Sequence, residues 1–352
     1  MPAQLALARL SEDNAQDQQA ISWYEQAAQA GAVEAVQALS RLYFSGRASA
    51  MDRLTGVQWA MKAAQSGDVS AMMKLASLLD ASPHSLAVTY LELAAAQDWP
   101  EAQYQMGLHL QSQTESTLAP GGAIDYFQRA AEQGHVLAQS ALGAIYLDGR
   151  WIARNPVQAL LWLEKAAQQD DAKAQWNLAL LLISGSTGVK KDLKQAFVWC
   201  QKAANSGFTP AQATFGTLHA RIRKLEEAVR WWQMAAEKGD SEAQYNLAMA
   251  LSKGQGAMQS LPLAFEWFIK AAEQGLVPAQ SKVGLLYATG EGVAADLIEA
   301  YKWFLIAADK GDAAAKTNAQ RSETQLDVMH IAEARRRVKF WMVSKVPVQL
   351  KG

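Results

Sequence analysis

The 352-residue chain offers few side chains equipped for chemistry. Its one thiol, Cys200, follows Trp199 in an apolar stretch. With no second cysteine it forms no intramolecular disulfide, and oxidising and reducing compartments are both permitted. Inside a core-forming helix, Cys200 reads as a small buried hydrophobe. His84, His109, His135, His219 and His330 are scattered, with no His-Glu-x-x-His and no pair at metal-ligand spacing. Gly254-Gln-Gly256 and Gly290-Glu-Gly292 each precede a helical pattern, as a phosphate-cradling loop would. Neither follows a strand pattern or leads into Gly-Lys-Ser/Thr, so both read as linkers. No Ser/His/Asp order or paired-carboxylate motif stands out. These residues predict a protein that is not an enzyme, with no cofactor, no metal and no small-molecule substrate.

Charge narrows the field further. The 33 Lys and Arg nearly balance the 34 Asp and Glu, so a net charge of −1 gives no global attraction to nucleic acid. The balance is uneven, however. From Ala313 onward, Lys316, Arg321, Arg335, Arg336, Arg337, Lys339, Lys345 and Lys351 stand against Glu323, Asp327 and Glu333, leaving +5 there and −6 elsewhere. No apolar run approaches the roughly 18 residues of a membrane span. The start, MPAQLALARLSEDN, lacks the basic opening and small-residue cleavage site of a secretory leader. Either the protein stays in the cytoplasm or a leader has been removed.

The elements that would position any site are written as a repeat. Alanine pairs begin at residues 27, 63, 94, 130, 166, 203, 235, 271 and 307, at intervals of 36, 31, 36, 36, 37, 32, 36 and 36. An aromatic residue precedes each pair by four: Trp23, Trp59, Tyr90, Tyr126, Trp162, Trp199, Trp231, Trp267 and Trp303. Another alanine follows eight residues after the first of each pair. Such a period is the signature of stacked helix pairs. In DLIEAYKWFLIAADKGD, Ala300, Trp303, Ala307 and Ala308 recur at helical steps on one face, and Gly311 ends the helix. The nine aromatics are expected in the repeat core, wedged against the alanines. Asp52, Asn155, Asp192, Ser260 and Asp296, seven residues ahead of an aromatic, are expected N-caps. The helix pairs divide the chain at about 2–32, 33–68, 69–99, 100–135, 136–171, 172–208, 209–240, 241–276 and 277–312. Residues 313–320 read as one more first helix, and 324–342 as an amphipathic cap, with Leu326, Met329, Ala332 and Val338 inward and its basic residues outward.

Ala-Gln, Leu-Gly or Leu-Ala, Tyr, Gly-x-Gly-Val, Asp, Trp, Ala-Ala and Gly follow one another in AQSKVGLLYATGEGVAADLIEAYKWFLIAADKG, residues 279–311. That pattern resembles the Sel1-like repeat, a relative of the tetratricopeptide repeat. The resemblance implies an all-α, right-handed α/α superhelical solenoid of about nine repeats over 1–312, with capping helices and a basic tail over 313–352. It implies a protein–protein interaction scaffold with a concave groove, in bacterial signalling or envelope processes. The alternative is a structural subunit of an envelope assembly, using its outer surface and ends. The periplasm or cell envelope is the implied compartment if a leader was removed.

Threading the related repeat places the residues two and six positions after the Ala of Ala-Gln on the concave face. Arg41, Met73, Tyr104, Leu108, Trp176, Leu180, Tyr245 and Met249 occupy such positions, with Phe44 and Ile183 three places further on. Core packing does not require these positions to be apolar, and most of them are. An aromatic and methionine stripe suits a protein or peptide partner, whose identity the sequence leaves open.

Overall fold

The computed structural model describes residues 1–45, 53–78, 86–113 and 121–344. Asp52, His84, Lys345 and Lys351 lie outside them. Among the described residues the chain forms twenty helices and no extended strand beyond an isolated bridge at Ser186 and Val189. Each repeat pairs an Ala-Gln helix, helix A, with an aromatic-bearing one, helix B.

In all nine repeats helix B ends in the same way. The N–H five residues after the first alanine of the pair returns to that alanine's carbonyl at 3.0–3.4 Å, from Ala32 onto Ala27 to Asp312 onto Ala307. The residue before this donor must be left-handed, as in a Schellman motif. Seven repeats place Gly there at φ 87–95°; Asp98 and Asp170 serve at 58° and 63° in the third and fifth.

The second alanine's carbonyl receives the glutamine of the next Ala-Gln. Gln139 donates to Ala131 (3.0 Å), Gln212 to Ala204 (3.2 Å), Gln244 to Ala236 (3.1 Å) and Gln280 to Ala272 (3.1 Å). These corners are thus stitched by a buried amide, whereas three others carry Val36, Met72 and Lys316 in its place. Gln133, Gln169 and Gln274 at the ends of later helices B then donate to Gln103, Gln139 and Gln244 at 2.8–2.9 Å, joining one corner to the next. Where Lys238 and Lys310 replace that donor, the ammonium turns to the carbonyls of Gly207 and Gly275 instead. The Oε1 atoms of Gln212 and Gln280 then accept no hydrogen bond.

Contacts divide the chain into two compact units, Met1–Ala174 with Thr187–Val189 and Gln175–Ser186 with Lys190–Gly352. The first unit holds α1 (Pro2–Asp13), α2 (Asp17–Gln29), α3 (Val33–Phe44), α4 (Arg53–Gln65) and α5 (Val69–Leu78). It continues with α6 (Leu86–Ala96), α7 (Pro100–Gln113), α8 (Gly121–Glu132), α9 (Val136–Asp148) and α10 (Pro156–Gln168), each packed on the next. α11 (Ala172–Ser184) begins in the first unit and lies mainly in the second. The second holds α12 (Leu193–Asn205), α13 (Thr209–Arg221), α14 (Leu225–Glu237), α15 (Ser241–Lys253) and α16 (Leu261–Glu273). It ends with α17 (Val277–Thr289), α18 (Leu297–Asp309), α19 (Ala313–Glu323) and α20 (Val328–Ser344). The side chains of Asn155, Asp192, Ser260 and Asp296 accept N–H bonds from the first turns of their helices.

Two expectations need correction. Only Trp162 and Trp303 of the nine signature aromatics are buried; Trp23, Trp59, Tyr90, Tyr126, Trp199, Trp231 and Trp267 are half-buried. The centre of the core falls one residue later, at Phe127, Leu163, Cys200, Phe268 and Phe304. Helix A accommodates several of these with a glycine: a Cβ on Gly284 would stand 2.7 Å from the Phe304 ring. One residue is about 100° of helix rotation, which moves the signature aromatic to the flank of that contact. There its outer face takes a cation from the next turn, as Lys270 over Trp267 at 4.0 Å and Lys165 over Trp162 at 4.3 Å.

The cap also turns differently. α20 packs on α18 through Ala334, with Ile331, Val338 and Trp341 on the same side; Trp341 meets Trp303 edge-on at 5.9 Å. Met329 and Ala332, expected inward, face solvent. A small residue at the helix crossing and a tryptophan one turn from the end outweigh the apolar positions counted from the front of the segment.

Replacing Lys310 by Gln supplies Gln280 with the donor that other corners have, and should raise stability by about 1 kcal/mol. The opposite change, Gly284→Ala, should cost about 1–3 kcal/mol through overpacking against Phe304. Thermal unfolding followed by circular dichroism reads both.

Candidate protein-docking surface

The side chains with chemical potential are held in structural work. Cys200 is fully buried in α12, its Sγ facing the Ala211 carbonyl, and burial pushes the thiol up to about 12. His135 caps α9: its Nδ1 accepts the Ala138 N–H, which fixes the tautomer, and Nε2 donates to Glu101 at 2.8 Å. His219 is buried between the rings of Phe197 and Phe215, where desolvation lowers its pKa. His330 is exposed beside Asp327. Gly256 and Gly292 are linkers of a demanding kind: a Cβ on either would run into the carbonyl of Leu225 or Leu261, at the start of the preceding helix B. Among the described residues no group of three or more His, Cys, Asp or Glu is arranged to hold a metal.

The expected partner-facing residues are better grouped. In the first unit Tyr104 and Leu108 of α7 line a cleft of about 590 Å³, floored by Ser140 and Ala144 of α9 and closed on one side by Trp151 and Lys173. Leu108 also lines an adjoining cleft of about 550 Å³ with Met73, Ala76, Gln105 and His109. Met73, Tyr104, Leu108, Ser140 and Ala144 all occupy the two threaded positions of helix A, so the repeat register brings them together. Trp151 does not. The sequence marks it only as a loop residue, and Gly149, left-handed at φ 75°, is what ends α9 and sends the chain to it.

The walls are fixed before any partner arrives. The Tyr104 ring lies 4.9 Å from that of His135 and 5.9 Å from that of Phe127. Burial, with the nearby carboxylates of Glu101 and Asp171, raises the Tyr104 phenol above its ordinary pKa. Partial burial opposes ionisation of Glu101, but hydrogen bonds from Gln105 and His135 outweigh it and hold the carboxyl below its usual range. Ser140 donates to Asp171 at 2.9 Å, and the same carboxylate oxygen takes the Ala174 N–H at the start of α11.

In the second unit Trp176, Leu180 and Ile183 stand on α11 at steps of four and three, and therefore share a face. Trp176 is anchored: its Nε1 donates to Thr214 Oγ1 at 2.9 Å, and its ring meets Phe208 at 5.8 Å. Leu180 is exposed and Ile183 half-buried. Tyr245 and Met249 lean on the core around Phe268, and burial raises the Tyr245 phenol. Arg41 is exposed but committed to Glu12 at 2.9 Å, a carboxylate that also accepts from Tyr24. The Phe44 side chain lies outside the described residues.

This is an all-helical repeat protein whose ordered surfaces are formed by side chains spaced one repeat apart. Nine segments, 3–31, 33–68, 69–99, 100–135, 136–171, 172–208, 220–240, 241–276 and 277–312, match the Sel1 repeat. The chain belongs to the Sel1 repeat family. Its structure is similar to that of a protective antigen present in uropathogenic Escherichia coli strains, which displays an SLR fold. The TM-score is 0.90 with 28% identity, over 97% of this chain and 76% of that one. The sequence is similar to DAP3-binding cell death enhancer 1 of Rattus norvegicus, 34% identical over 142 residues, 40% of this chain and 28% of that protein. It is also similar to chitin synthase regulatory factor 4 of Schizosaccharomyces pombe, 32% identical over 128 residues, 36% of this chain and 20% of that protein. The chain therefore spans well under a third of the length of these curated relatives. Among the described residues no helix is long and apolar enough to cross a membrane.

Burial of Cys200 predicts that a thiol reagent at about pH 8 leaves the native chain unlabelled, because little thiolate forms and none is accessible. One equivalent should react once guanidinium unfolds the chain, as absorbance of the released reagent would show.

Proposed function

We propose that this chain is a non-catalytic scaffold whose units each dock a segment of another protein on helix-A side chains. Met73, Tyr104 and Leu108 form such a surface in the first unit, and Trp176, Leu180, Ile183, Tyr245 and Met249 form one in the second. The observation that carries this reading is the pair of adjoining clefts that share Leu108 as a wall. Met73, Tyr104 and Leu108 supply part of the apolar lining, beside core residues such as Val88, Leu91 and Ile145. Tyr104 and Trp176 are held in place by ring contacts and a hydrogen bond, so binding loses little side-chain entropy there. An extended or helical segment with apolar anchors suits such walls.

The relatives support the same class of work. One is named for binding DAP3 and another for regulating chitin synthase. Similarity to a protective antigen of uropathogenic Escherichia coli supports a bacterial setting at the envelope or in host contact. A protein or peptide is the partner, and the groove residues, not a cofactor or nucleic acid, recognise it.

Peptides selected from a random display library on the immobilised full chain provide the test. Selected peptides should share apolar anchors, and Tyr104→Ala with Leu108→Ala should weaken them at least tenfold, about 1.4 kcal/mol, while the thermal midpoint stays within a few degrees. Trp176→Ala is the matching probe of the second unit. Binding unmoved by all three substitutions would overturn the groove reading and favour recognition through the outer surface or the chain's terminal helices.

A further inference from the structure

The turn from α13 to α14 is cut short. α15 reaches α16, and α17 reaches α18, through loops of seven residues, 254–260 and 290–296. α13 reaches α14 through Ile222, Arg223 and Lys224 alone, with Arg223 left-handed at φ 62°. In the longer loops Gly256 and Gly292 lie against the carbonyls of Leu225 and Leu261, the first residues of the preceding helices B. Leu193 is the matching first residue of α12, and the three-residue turn carries no glycine to lay upon it. Leu225 and Leu261 are half-buried, whereas Leu193 is 57% exposed. Ile222, in the turn itself, is 54% exposed.

Cations gather at this gap. Lys190, Lys191 and Lys194 flank Leu193 in the chain, Arg221, Arg223 and Lys224 flank Ile222, and all six are exposed. Packing brings the two groups to one corner. Phe197, one turn into α12, lies 5.3 Å from the ring of His219 in the last turn of α13. Three carboxylates belong to the same segments. Asp192 accepts N–H bonds from the first turn of α12, and Glu226 and Glu227 lie in the first turn of α14. Six cations against three carboxylates leave a balance of +3. Among the described residues, the side chain of none of the six is hydrogen-bonded or ion-paired within the chain.

We propose that the gap receives an acidic segment of a partner protein, laid over the α13–α14 turn with an apolar side chain on Leu193 and Ile222 and its carboxylates on the six cations. Positive charge that nothing within the chain neutralises selects the sign of the occupant. The two exposed aliphatic side chains reward apolar surface that the same segment brings. The turn is recessed beside the α15–α16 loop, where Met258 stands 90% exposed. A flat anionic bilayer would meet that loop first, whereas a single extended segment fits beside it. The site uses none of the groove residues, so it goes beyond the groove and is independent of it.

Fluorescence anisotropy of a fluorescein-labelled peptide of four Glu-Asp-Leu repeats, titrated with the full chain from about 1 to 500 µM, covers the range of a weak docking site. Binding should saturate, and should weaken at least tenfold as salt rises from about 50 to 300 mM. Lys194→Glu with Lys224→Glu should weaken it at least tenfold, and Leu193→Ser with Ile222→Ser at least threefold at constant salt. The altered side chains are exposed, so circular dichroism melts should be unchanged. Should the first pair fail to fold, Lys190→Glu with Lys191→Glu serves in its place. Arg321→Glu with Lys339→Glu makes the same change of net charge elsewhere and should leave binding intact. Equal weakening by that pair would overturn the proposal in favour of unspecific charge attraction, and so would equal affinity for a peptide with serine in place of leucine. A peptide that does not bind would overturn it too. If vesicles of one-third phosphatidylserine then sediment with the chain, the gap belongs to an anionic lipid surface instead.

Discussion

The fold depends on how a helix end surrenders its carbonyls. Each helix B stops with two alanine carbonyls unsatisfied by its own ladder, deep in apolar surroundings where an unmet acceptor is costly. The first is met by the N–H five residues on and the second by the N–H of the left-handed residue itself, as Gly134 onto Ala131 at 3.0 Å; where the next helix opens with Ala-Gln, the glutamine adds a second donor to that carbonyl. Both bonds require the next helix to leave at one angle. The direction of every corner, and with it the register of the helix-A face, follows from this pair of hydrogen bonds.

That register explains where a surface free for recognition can arise. On helix A, the alanine, its glutamine and the residues four and five places on are buried by the adjacent helices. The positions two and six places on lie at the edge of that packing: Met73, Tyr104, Leu108, Tyr245 and Met249 rest against the core with part of each side chain exposed. In the first unit they carry Met73, Tyr104 and Leu108 beside small Ser140 and Ala144, which yields walls and floor together. The cleft is completed by Trp151, delivered by a glycine-ended loop that follows no repeat position.

Much of this is legible in the chain alone. The alanine period, the glycine stops and the caps at Asn155, Asp192, Ser260 and Asp296 each have a local cause that the residues display. The errors share a different origin. As the largest apolar residue, tryptophan is expected at the centre of the core, yet the enclosed position is its neighbour, opposite a helix-A glycine. Size alone does not reveal an angle of 100°, whereas the lysine three residues after Trp59, Trp199 and Trp267 signals a side chain at the water's edge. On α20 a count of apolar residues favours Met329 and Ala332, while the crossing is decided by Ala334 and the contact of Trp341 with Trp303. The role of the glutamine is hidden for another reason: its acceptor belongs to the end of a different helix, and no periodicity within one helix discloses it.

The same stitch has a consequence for chain length. Its donor and acceptor are separated by eight residues, so the bond travels with the bend that contains it. Adding or removing one whole module moves complete bends and strands no amide among hydrocarbon. A change of a few residues inside the stack would instead divide a bend, and the loops ahead of helix B, where spacing already differs between 31 and 37 residues, are where such changes are absorbed. Variation in this architecture is therefore quantised in its interior and continuous only at its loops.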